Sequence, residues 1–107
     1  MGTELSIYRL YIGLNDAKTK KQEISTKDAM NIISDYIANH FEGATVFPAI
    51  GVYKHPDSGI VVKEKSLVVE LFFVSEMEVN DLLRFAKKSL NQYSVAKMIL
   101  NGTVSFE

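Results

Sequence analysis

Histidine is the side chain best suited to acid–base or metal chemistry near neutral pH, and the chain has only two of them. His40 falls on a predicted helix, whereas His55 follows Tyr53 in a predicted loop, where binding residues are commoner than on regular elements. Neither has the spacing of a metal ligand, and Asp57 beside His55 is typical of a turn. The absence of cysteine excludes thiolate and disulfide chemistry. We therefore predict His55 as a ligand-binding residue and expect neither a metal nor a cofactor.

A second group of polar side chains lies on one long predicted strand. Glu64 and Glu70 share a face of this strand but stand roughly 20 Å apart, at about 3.3 Å per residue. That separation is too large for two carboxylates that act on one bond. Ser66 lacks the glycine-flanked turn of a hydrolase nucleophile, and the lysines on either side of Glu64 are typical of a solvated charge. None of these patterns is a catalytic motif, so whether the protein is an enzyme stays open.

Length and composition indicate one small globular domain. The 107 residues are 47% hydrophobic and 23% charged, which suits a folded core and not a disordered chain. Twelve basic and 13 acidic residues leave a net charge of −1, which gives no electrostatic reason to bind nucleic acid or an anionic membrane. The first residues lack a signal-peptide pattern, and the longest apolar run, residues 67–74, is too short to span a bilayer. We expect a single domain over residues 1–107, in the cytoplasm, with no nucleic-acid or membrane partner.

Six segments show the patterning of strands or helices. Alternating apolar residues predict strands, and apolar residues three or four apart predict helices. Ser25 and Ser75 precede the two helical segments, and Glu78 completes a capping box with Ser75. Gly43 is predicted as the left-handed residue that ends the first helix, and the lysine-rich residues 15–25 as a loop. The predicted order is strand 5–14, helix 26–42, strand 44–53, strand 60–74, helix 76–92 and strand 95–100.

This order, βαββαβ, predicts an α+β fold of the ferredoxin-like type when the crossovers are right-handed. The sheet would have four antiparallel strands in the order 4-1-3-2, with two helices on one face. The third strand is then central, because both of its faces are apolar. We predict that Leu67, Val69, Leu71 and Phe73 face the helices and that Val68, Glu70 and Phe72 face the other way. The second strand is an edge, which suits Pro48, because proline cannot donate a ladder hydrogen bond.

The two helices would leave the other face of the sheet uncovered. Neighbouring central strands place Arg9 and Glu70 on this face, where we predict a cross-strand ion pair. The other side chains predicted there are largely apolar, namely Ile7, Tyr11, Val68 and Phe72. Exposed apolar patches mark interaction sites. We therefore expect either a homo-oligomer formed through this face or a ligand floor that includes Arg9 and Tyr11.

Five short motifs follow one another along the chain. They are Leu10-Tyr11-Ile12-Gly13-Leu14, Thr45-Val46-Phe47 leading to Gly51-Val52-Tyr53, Pro56-Asp57-Ser58-Gly59, Val62-Lys63-Glu64-Lys65-Ser66 and Val104-Ser105-Phe106. In this order they resemble a family of small bacterial domains of unknown function, and the resemblance covers nearly the whole chain. The family pattern has tryptophan where this chain has Tyr53 and arginine where it has Lys63. The resemblance implies a shared site at Gly13, Tyr53, Glu64 and Ser66.

The layout is also similar to that of the trimeric divalent-cation-tolerance proteins and the nitrogen-regulatory PII-like proteins, which have a long hairpin between strands 2 and 3. This similarity implies a ferredoxin-like oligomer and carries over no catalytic residue. The leading hypothesis is therefore a small oligomeric ligand-binding or regulatory domain. Its groove would lie between the hairpin and a neighbouring subunit, near Tyr53, His55 and Glu64.

Two other functions fit the same fold. One is a small dimeric enzyme that acts on an organic substrate between the sheet and the helices, with His40, Tyr36 or Tyr11 transferring protons. The other is a structural protein whose uncovered sheet face binds another chain. An internal cavity lined by tyrosine or histidine would favour the enzyme, whereas a packed interior would favour the binding domain.

Overall fold

The computed structural model describes residues 6–107 and contains all six predicted elements. They are β1 (Ser6–Gly13), α1 (Thr26–His40), β2 (Thr45–Lys54), β3 (Val61–Val74), α2 (Glu76–Ser89) and β4 (Ala96–Leu100). The predicted strand start at Leu5 lies outside the described residues. Neither helix in the described part of the chain is long and apolar enough to cross a membrane.

The four strands form one antiparallel sheet in the order β2-β3-β1-β4. This is the predicted order 4-1-3-2 read from the opposite edge, so the α+β ferredoxin-like fold is confirmed. β2 is an edge strand, in agreement with Pro48, which is paired with Leu67 of β3. An edge strand has one side without a ladder, where the missing N–H of proline is tolerated.

The hydrophobic core lies between the helices and one face of the sheet. Leu10 and Leu67 on the strands and Ile33 and Leu82 on the helices are fully buried. Buried positions alternate along β1, because successive side chains of a strand point to opposite faces. We call the side of the sheet without helices the open face. Cross-strand pairing places on it Arg9, Tyr11, Phe47, Val68, Glu70 and Met98.

The end of β3 departs from the predicted alternation. The register between β1 and β3 shifts between Ser6 and Tyr8, so that Phe72 and Phe73 together oppose a single residue of β1. Phe73 has a φ of 56° and is 49% exposed. The prediction that Phe73 faces the core with Leu71 was therefore wrong. A β-bulge adds one residue to a strand and turns the following side chain to the other face.

The helix ends also differ in part from expectation. α1 ends at the extended residue Phe41, whose N–H donates to the carbonyl of Ile37 at 2.8 Å, so the predicted left-handed cap at Gly43 was wrong. A left-handed residue follows α2 instead, where Asn91 has a φ of 48°. Asparagine accepts this conformation more readily than most residues with a Cβ, because its short polar side chain bonds locally.

β2 and β3 form a long hairpin that extends past the other two strands. The register of β1 with β3 ends at Gly13 and Ser66, with one more hydrogen bond from Leu14 N–H to the Lys65 carbonyl at 3.0 Å, and the residues of β3 before Lys65 pair with β2 alone. The hairpin turns at Gly59, which has a φ of 73°. The molecule is consequently elongated, at 50 Å along its longest axis and 26 Å along the other two.

The capping box at the start of α2 gives a test of local stability. Ser75 Oγ accepts a hydrogen bond from the N–H of Glu78 at 3.2 Å, and Glu78 Oε1 accepts one from the N–H of Ser75 at 3.0 Å. We expect Ser75→Ala to lower the free energy of unfolding by about 1 kcal/mol in urea denaturation. Ser89→Ala, at the other end of the same helix, is the control and should change little. Equal losses in the two variants would contradict the role of the cap.

Candidate functional site

A cleft of about 520 Å³ lies on the open face, where β1 ends and the β2–β3 hairpin continues past it. We call it the open-face cleft. Its strand residues are Tyr11, Gly13, Ala49, Ile50, Gly51, Tyr53, Glu64, Ser66 and Ala96, and its loop residues are Asn15, Asp16, Ala17, Lys20, Gln92, Tyr93 and Ser94. Four of the six residues predicted to bind a ligand, Tyr11, Tyr53, Glu64 and Ser66, thus lie in one cleft.

Glu64 is held against the end of β1. Its Oε2 accepts a hydrogen bond from the N–H of Asn15 at 2.8 Å. A Cβ atom at Gly13 would stand 2.6 Å from the same oxygen, which is closer than real Cβ atoms come. Glycine at position 13 is therefore what allows the carboxylate to lie over β1. Gly51, the register partner of Glu64 on β2, is less crowded, since its Cβ would be 3.6 Å from the Glu64 carbonyl oxygen.

The sheet register brings the other three predicted residues to Glu64. Ser66 lies two positions along β3, on the same face, and is paired with Gly13. Tyr11 comes two positions before Gly13 on β1, and Tyr53 lies on the same face of β2. The two tyrosines are 37% and 49% exposed, respectively. Their rings are therefore available to a ligand in the cleft.

The remaining two predicted residues, Arg9 and His55, do not line the cleft. Arg9 Nε donates to Glu70 Oε2 at 2.8 Å, which is the predicted cross-strand pair, and Arg9 Nη1 donates to the Tyr11 hydroxyl at 3.4 Å. The hydrogen bonds with Tyr11 and with Glu70 raise the pKa of Arg9. Arg9 therefore supports the cleft through Tyr11. His55 lies beyond the end of β2, with its ring centroid 6.3 Å from that of Tyr53.

The loop after β1 forms a wall of the cleft that sequence analysis missed. Asp16 Oδ1 accepts the N–H groups of Lys18 at 2.8 Å and Thr19 at 3.1 Å, and its Oδ2 accepts the side-chain amide of Asn91 at 2.8 Å. The bond from Asn91, followed by the two backbone bonds, lowers the pKa of Asp16. The tight turn that results places Lys20 in the left-handed region, at a φ of 64°.

The ammonium group of Lys20 is held at this wall. Its Nζ donates to the carbonyl of Ala17 at 2.7 Å and lies 4.7 Å from the ring centroid of Tyr93. An aspartate that accepts hydrogen bonds from the N–H groups two and three residues later is a local sequence signal of such a turn, and Asp16 does so. The approach of Tyr93 has no sequence signal, because it depends on where the end of α2 meets the loop.

Of the three residues considered for proton transfer, Tyr11 lines the open-face cleft, whereas Tyr36 and His40 lie away from it. Tyr36 and His40 stack on α1 with ring centroids 4.0 Å apart, and Tyr36 also stacks on Phe85 of α2 at 4.4 Å. Burial raises the pKa of Tyr36, whereas His40 is exposed. Aliphatic side chains such as Leu10 and Ile33 fill the layer between sheet and helices. The open-face cleft is therefore the better candidate site.

The cleft offers charged, hydroxyl and aromatic groups to a bound molecule. Among residues 6–107, no group of three or more His, Asp or Glu side chains is arranged to hold a metal ion. The available groups are the Glu64 carboxylate, the Ser66 hydroxyl, the Lys20 ammonium and the tyrosine rings. Such a set can orient a small organic molecule that carries both polar and aromatic parts.

Comparison with protein families decides where the chain belongs. The sequence profile described as "Protein of unknown function (DUF3574)" matches residues 7–106. The chain belongs to the DUF3574 family. This confirms the resemblance to a family of small domains of unknown function. Among curated proteins, none matches the chain at a significant level.

Solved structures similar to this DUF3574 domain share its fold at low sequence identity. A phage SAM lyase in complex with S-methyl-5'-thioadenosine has a TM-score of 0.64 at 21% identity, over 94% of this chain and 83% of that chain. CutA1 from Oryza sativa has a TM-score of 0.56 at 16% identity, over 96% and 87%. The periplasmic divalent cation tolerance protein CutA from Archaeoglobus fulgidus has a TM-score of 0.53 at 10% identity, over 94% and 88%. The predicted structural similarity to divalent-cation-tolerance proteins is thus confirmed.

The crowding at Gly13 gives a test of how the cleft is built. Gly13→Ala puts a methyl group where the Glu64 carboxylate lies, so the carboxylate must move and lose its bond from Asn15. We expect a loss of about 1–3 kcal/mol in the free energy of unfolding, measured in urea.

Gly51→Ala is the matched control for this variant. It adds the same methyl group opposite the same glutamate, but the added Cβ makes only an ordinary van der Waals contact with Glu64. Its free energy of unfolding should stay within about 0.5 kcal/mol of that of the unaltered protein. The double variant Gly13→Ala with Glu64→Ala should regain part of the loss, because the added methyl then has room. Equal effects of Gly13→Ala and Gly51→Ala would show that the carboxylate does not require glycine at position 13.

Proposed function

We propose that this DUF3574 domain binds a small organic cation in the open-face cleft, with the Glu64 carboxylate as the group that receives the positive charge. The observation that carries the proposal is the unpaired charge of Glu64. The carboxylate accepts the N–H of Asn15, and no basic side chain of residues 6–107 forms an ion pair with it. A half-buried carboxylate without a basic partner favours the binding of a cation.

Aromatic rings near Glu64 support the same class of ligand. Tyr11, Tyr53 and Tyr93 line the cleft, and the face of a tyrosine ring attracts a cation or stacks on a heteroaromatic base. The hydrogen bond from Arg9 holds Tyr11 in place. The volume of about 520 Å³ suits a small molecule rather than a peptide. A cation attached to an aromatic base would use both the carboxylate and the rings.

The ligand that we propose for this cleft is S-adenosylmethionine. Its sulfonium cation suits the Glu64 carboxylate, and the adenine of its adenosine group suits the tyrosine rings. The structural likeness to the phage SAM lyase, at a TM-score of 0.64, supports the choice.

A second candidate function is a lyase in which the carboxylate of S-adenosylmethionine attacks its own γ-carbon. The C–S bond breaks, S-methyl-5'-thioadenosine leaves with the electron pair, and the amino-acid part closes to homoserine lactone. The observation that favours it is the same likeness, because that phage enzyme was solved with S-methyl-5'-thioadenosine. In this function Glu64 would stabilise the sulfonium substrate, and the neutral thioether product would leave more easily. Binding and cleavage are separated by whether the ligand is recovered unchanged.

We further propose that the domain acts as a homo-oligomer formed through the open face. Tyr11, Phe47 and Met98 on this face are 37%, 39% and 40% exposed, respectively. Monomers rarely expose contiguous apolar surface on this scale. A second copy of the chain would cover these side chains and narrow the mouth of the cleft.

The ligand proposal is tested by calorimetric titration with S-adenosylmethionine. We expect the unaltered protein to bind it and Glu64→Gln to bind at least about tenfold more weakly, because a charge-assisted contact is lost. Glu42→Gln is the control, since it removes the same charge from an exposed position outside the cleft.

Chromatography of the titrated samples then separates the two candidate functions. Recovery of unchanged S-adenosylmethionine indicates a binding domain. Formation of S-methyl-5'-thioadenosine by the unaltered protein, but not by Glu64→Gln, indicates the lyase. If the unaltered protein does not bind S-adenosylmethionine, or if Glu64→Gln and Glu42→Gln bind it equally, the proposed role of Glu64 is wrong.

The oligomer proposal is tested by light scattering with a pair of methionine variants. We expect the unaltered protein to have a mass greater than that of one chain. Met98→Glu puts a second carboxylate beside Arg9, which already pairs with Glu70, and should shift the mass towards a single chain, because burying the added charge in an interface is costly. Met77→Glu, on the exposed side of α2 and 73% exposed, should have no effect. A monomeric unaltered protein would overturn the proposal.

A further inference from the structure

Two unpaired charges of opposite sign line the open-face cleft. One is the Glu64 carboxylate and the other is the Lys20 ammonium group. Asp16 lines the cleft as well, but two backbone N–H groups and the amide of Asn91 already occupy its carboxylate. Within residues 6–107, Lys20 forms no ion pair with a carboxylate. A ligand in the cleft therefore meets one ammonium group and a carboxylate, Glu64, whose oxygens accept fewer hydrogen bonds from the protein than those of Asp16.

The ammonium group of Lys20 is positioned and still able to donate. An ammonium group has three N–H donors. One of them is used by the carbonyl of Ala17 at 2.7 Å, and the ring of Tyr93, at 4.7 Å, lies against the same group. Two contacts restrict the direction of the side chain, while donors remain for an anionic group of a ligand.

The backbone at Lys20 is held in a sparsely populated conformation. Its φ of 64° is left-handed, a conformation that glycine adopts at lower cost than lysine. The loop enforces it through hydrogen bonds from Asp16 N to Lys21 O at 2.7 Å and from Lys20 N to Asp16 O at 2.9 Å. Residues held in sparsely populated backbone regions are concentrated at ligand sites, because the surrounding structure must maintain them.

We infer that the ligand of the open-face cleft is a zwitterion, with its cationic centre at Glu64 and a carboxylate at Lys20. The inference rests on the proposed binding of an organic cation at Glu64 and adds the second charge of the ligand. An α-amino-acid group on the ligand supplies this second charge, since its carboxylate can accept hydrogen bonds from Lys20. A cation without a carboxylate uses only Glu64 and the tyrosine rings, and binds more weakly.

The test compares two sulfonium ligands that differ only in the carboxylate. S-adenosylmethionine carries it, and decarboxylated S-adenosylmethionine does not. We expect calorimetric titration of the unaltered protein to give an affinity at least about tenfold higher for the carboxylated ligand. Lys20→Gln should lower the affinity for S-adenosylmethionine by about tenfold and change that for the decarboxylated ligand by less than about twofold.

Two further variants separate charge recognition from the integrity of the loop. Lys20→Arg keeps the positive charge and should retain most of the preference for the carboxylated ligand. Lys27→Gln removes a charge from an exposed position on α1, outside the cleft, and should leave both affinities unchanged. Near-ultraviolet circular dichroism of Lys20→Gln, compared with that of Lys20→Arg, shows whether the fold and the Tyr93 environment are intact.

The outcomes distinguish this inference from the proposed function. If both ligands bind the unaltered protein equally and Glu64→Gln weakens both, the cation site stands and the carboxylate site is wrong. If Lys20→Gln weakens both ligands alike, Lys20 does not recognise the carboxylate, and the inference is overturned. If neither ligand binds the unaltered protein, the proposed cation site fails together with the inference.

Discussion

The close approach of the Glu64 carboxylate to the backbone of Gly13 is the constraint on which the candidate site depends. Any side chain at position 13 would meet the carboxylate, and the N–H of Asn15 holds the carboxylate in place at 2.8 Å. This contact joins the end of β1 to the projecting part of β3. It also directs the chain into the loop that carries Lys20. The sheet, the hairpin and the loop therefore contribute to one cleft.

The single helical layer explains why that cleft is open. Two helices cover one face of the sheet, and the aliphatic side chains between them fill the interior. The other face carries the Arg9–Glu70 pair among apolar residues, so it is neither a core nor an ordinary polar surface. A binding site on this fold is accordingly at a surface that a second chain can complete. This arrangement agrees with a ligand site on the open face better than with an internal reaction chamber.

Whether the position of a site residue could be predicted from the sequence depended on how far apart in the chain its contacts lie. Glu64 and Ser66 were singled out by the family resemblance, whereas Tyr11 was placed on the open face because strand alternation and strand pairing decide which side chains share a face. Arg9 and Glu70 were paired correctly for the same reason. Lys20 was passed over as part of a polar loop, since its position depends on Asp16, Asn91 and Tyr93 together. Phe73 was assigned to the wrong face, because a β-bulge leaves no mark in the apolar pattern.

The amino-acid sequence by itself determined the element order, the strand order, the edge position of β2 and the apolar character of both sheet faces. These properties follow from local periodicity and from the handedness of crossovers, which act along the chain. Only the tertiary structure decided that Glu64 lies over Gly13 and that Lys20 lines the same cleft. Both facts depend on contacts between segments far apart in the chain, where distances of a few tenths of an ångström decide whether a carboxylate, a glycine and a loop fit together. Local patterns carry no information at that scale.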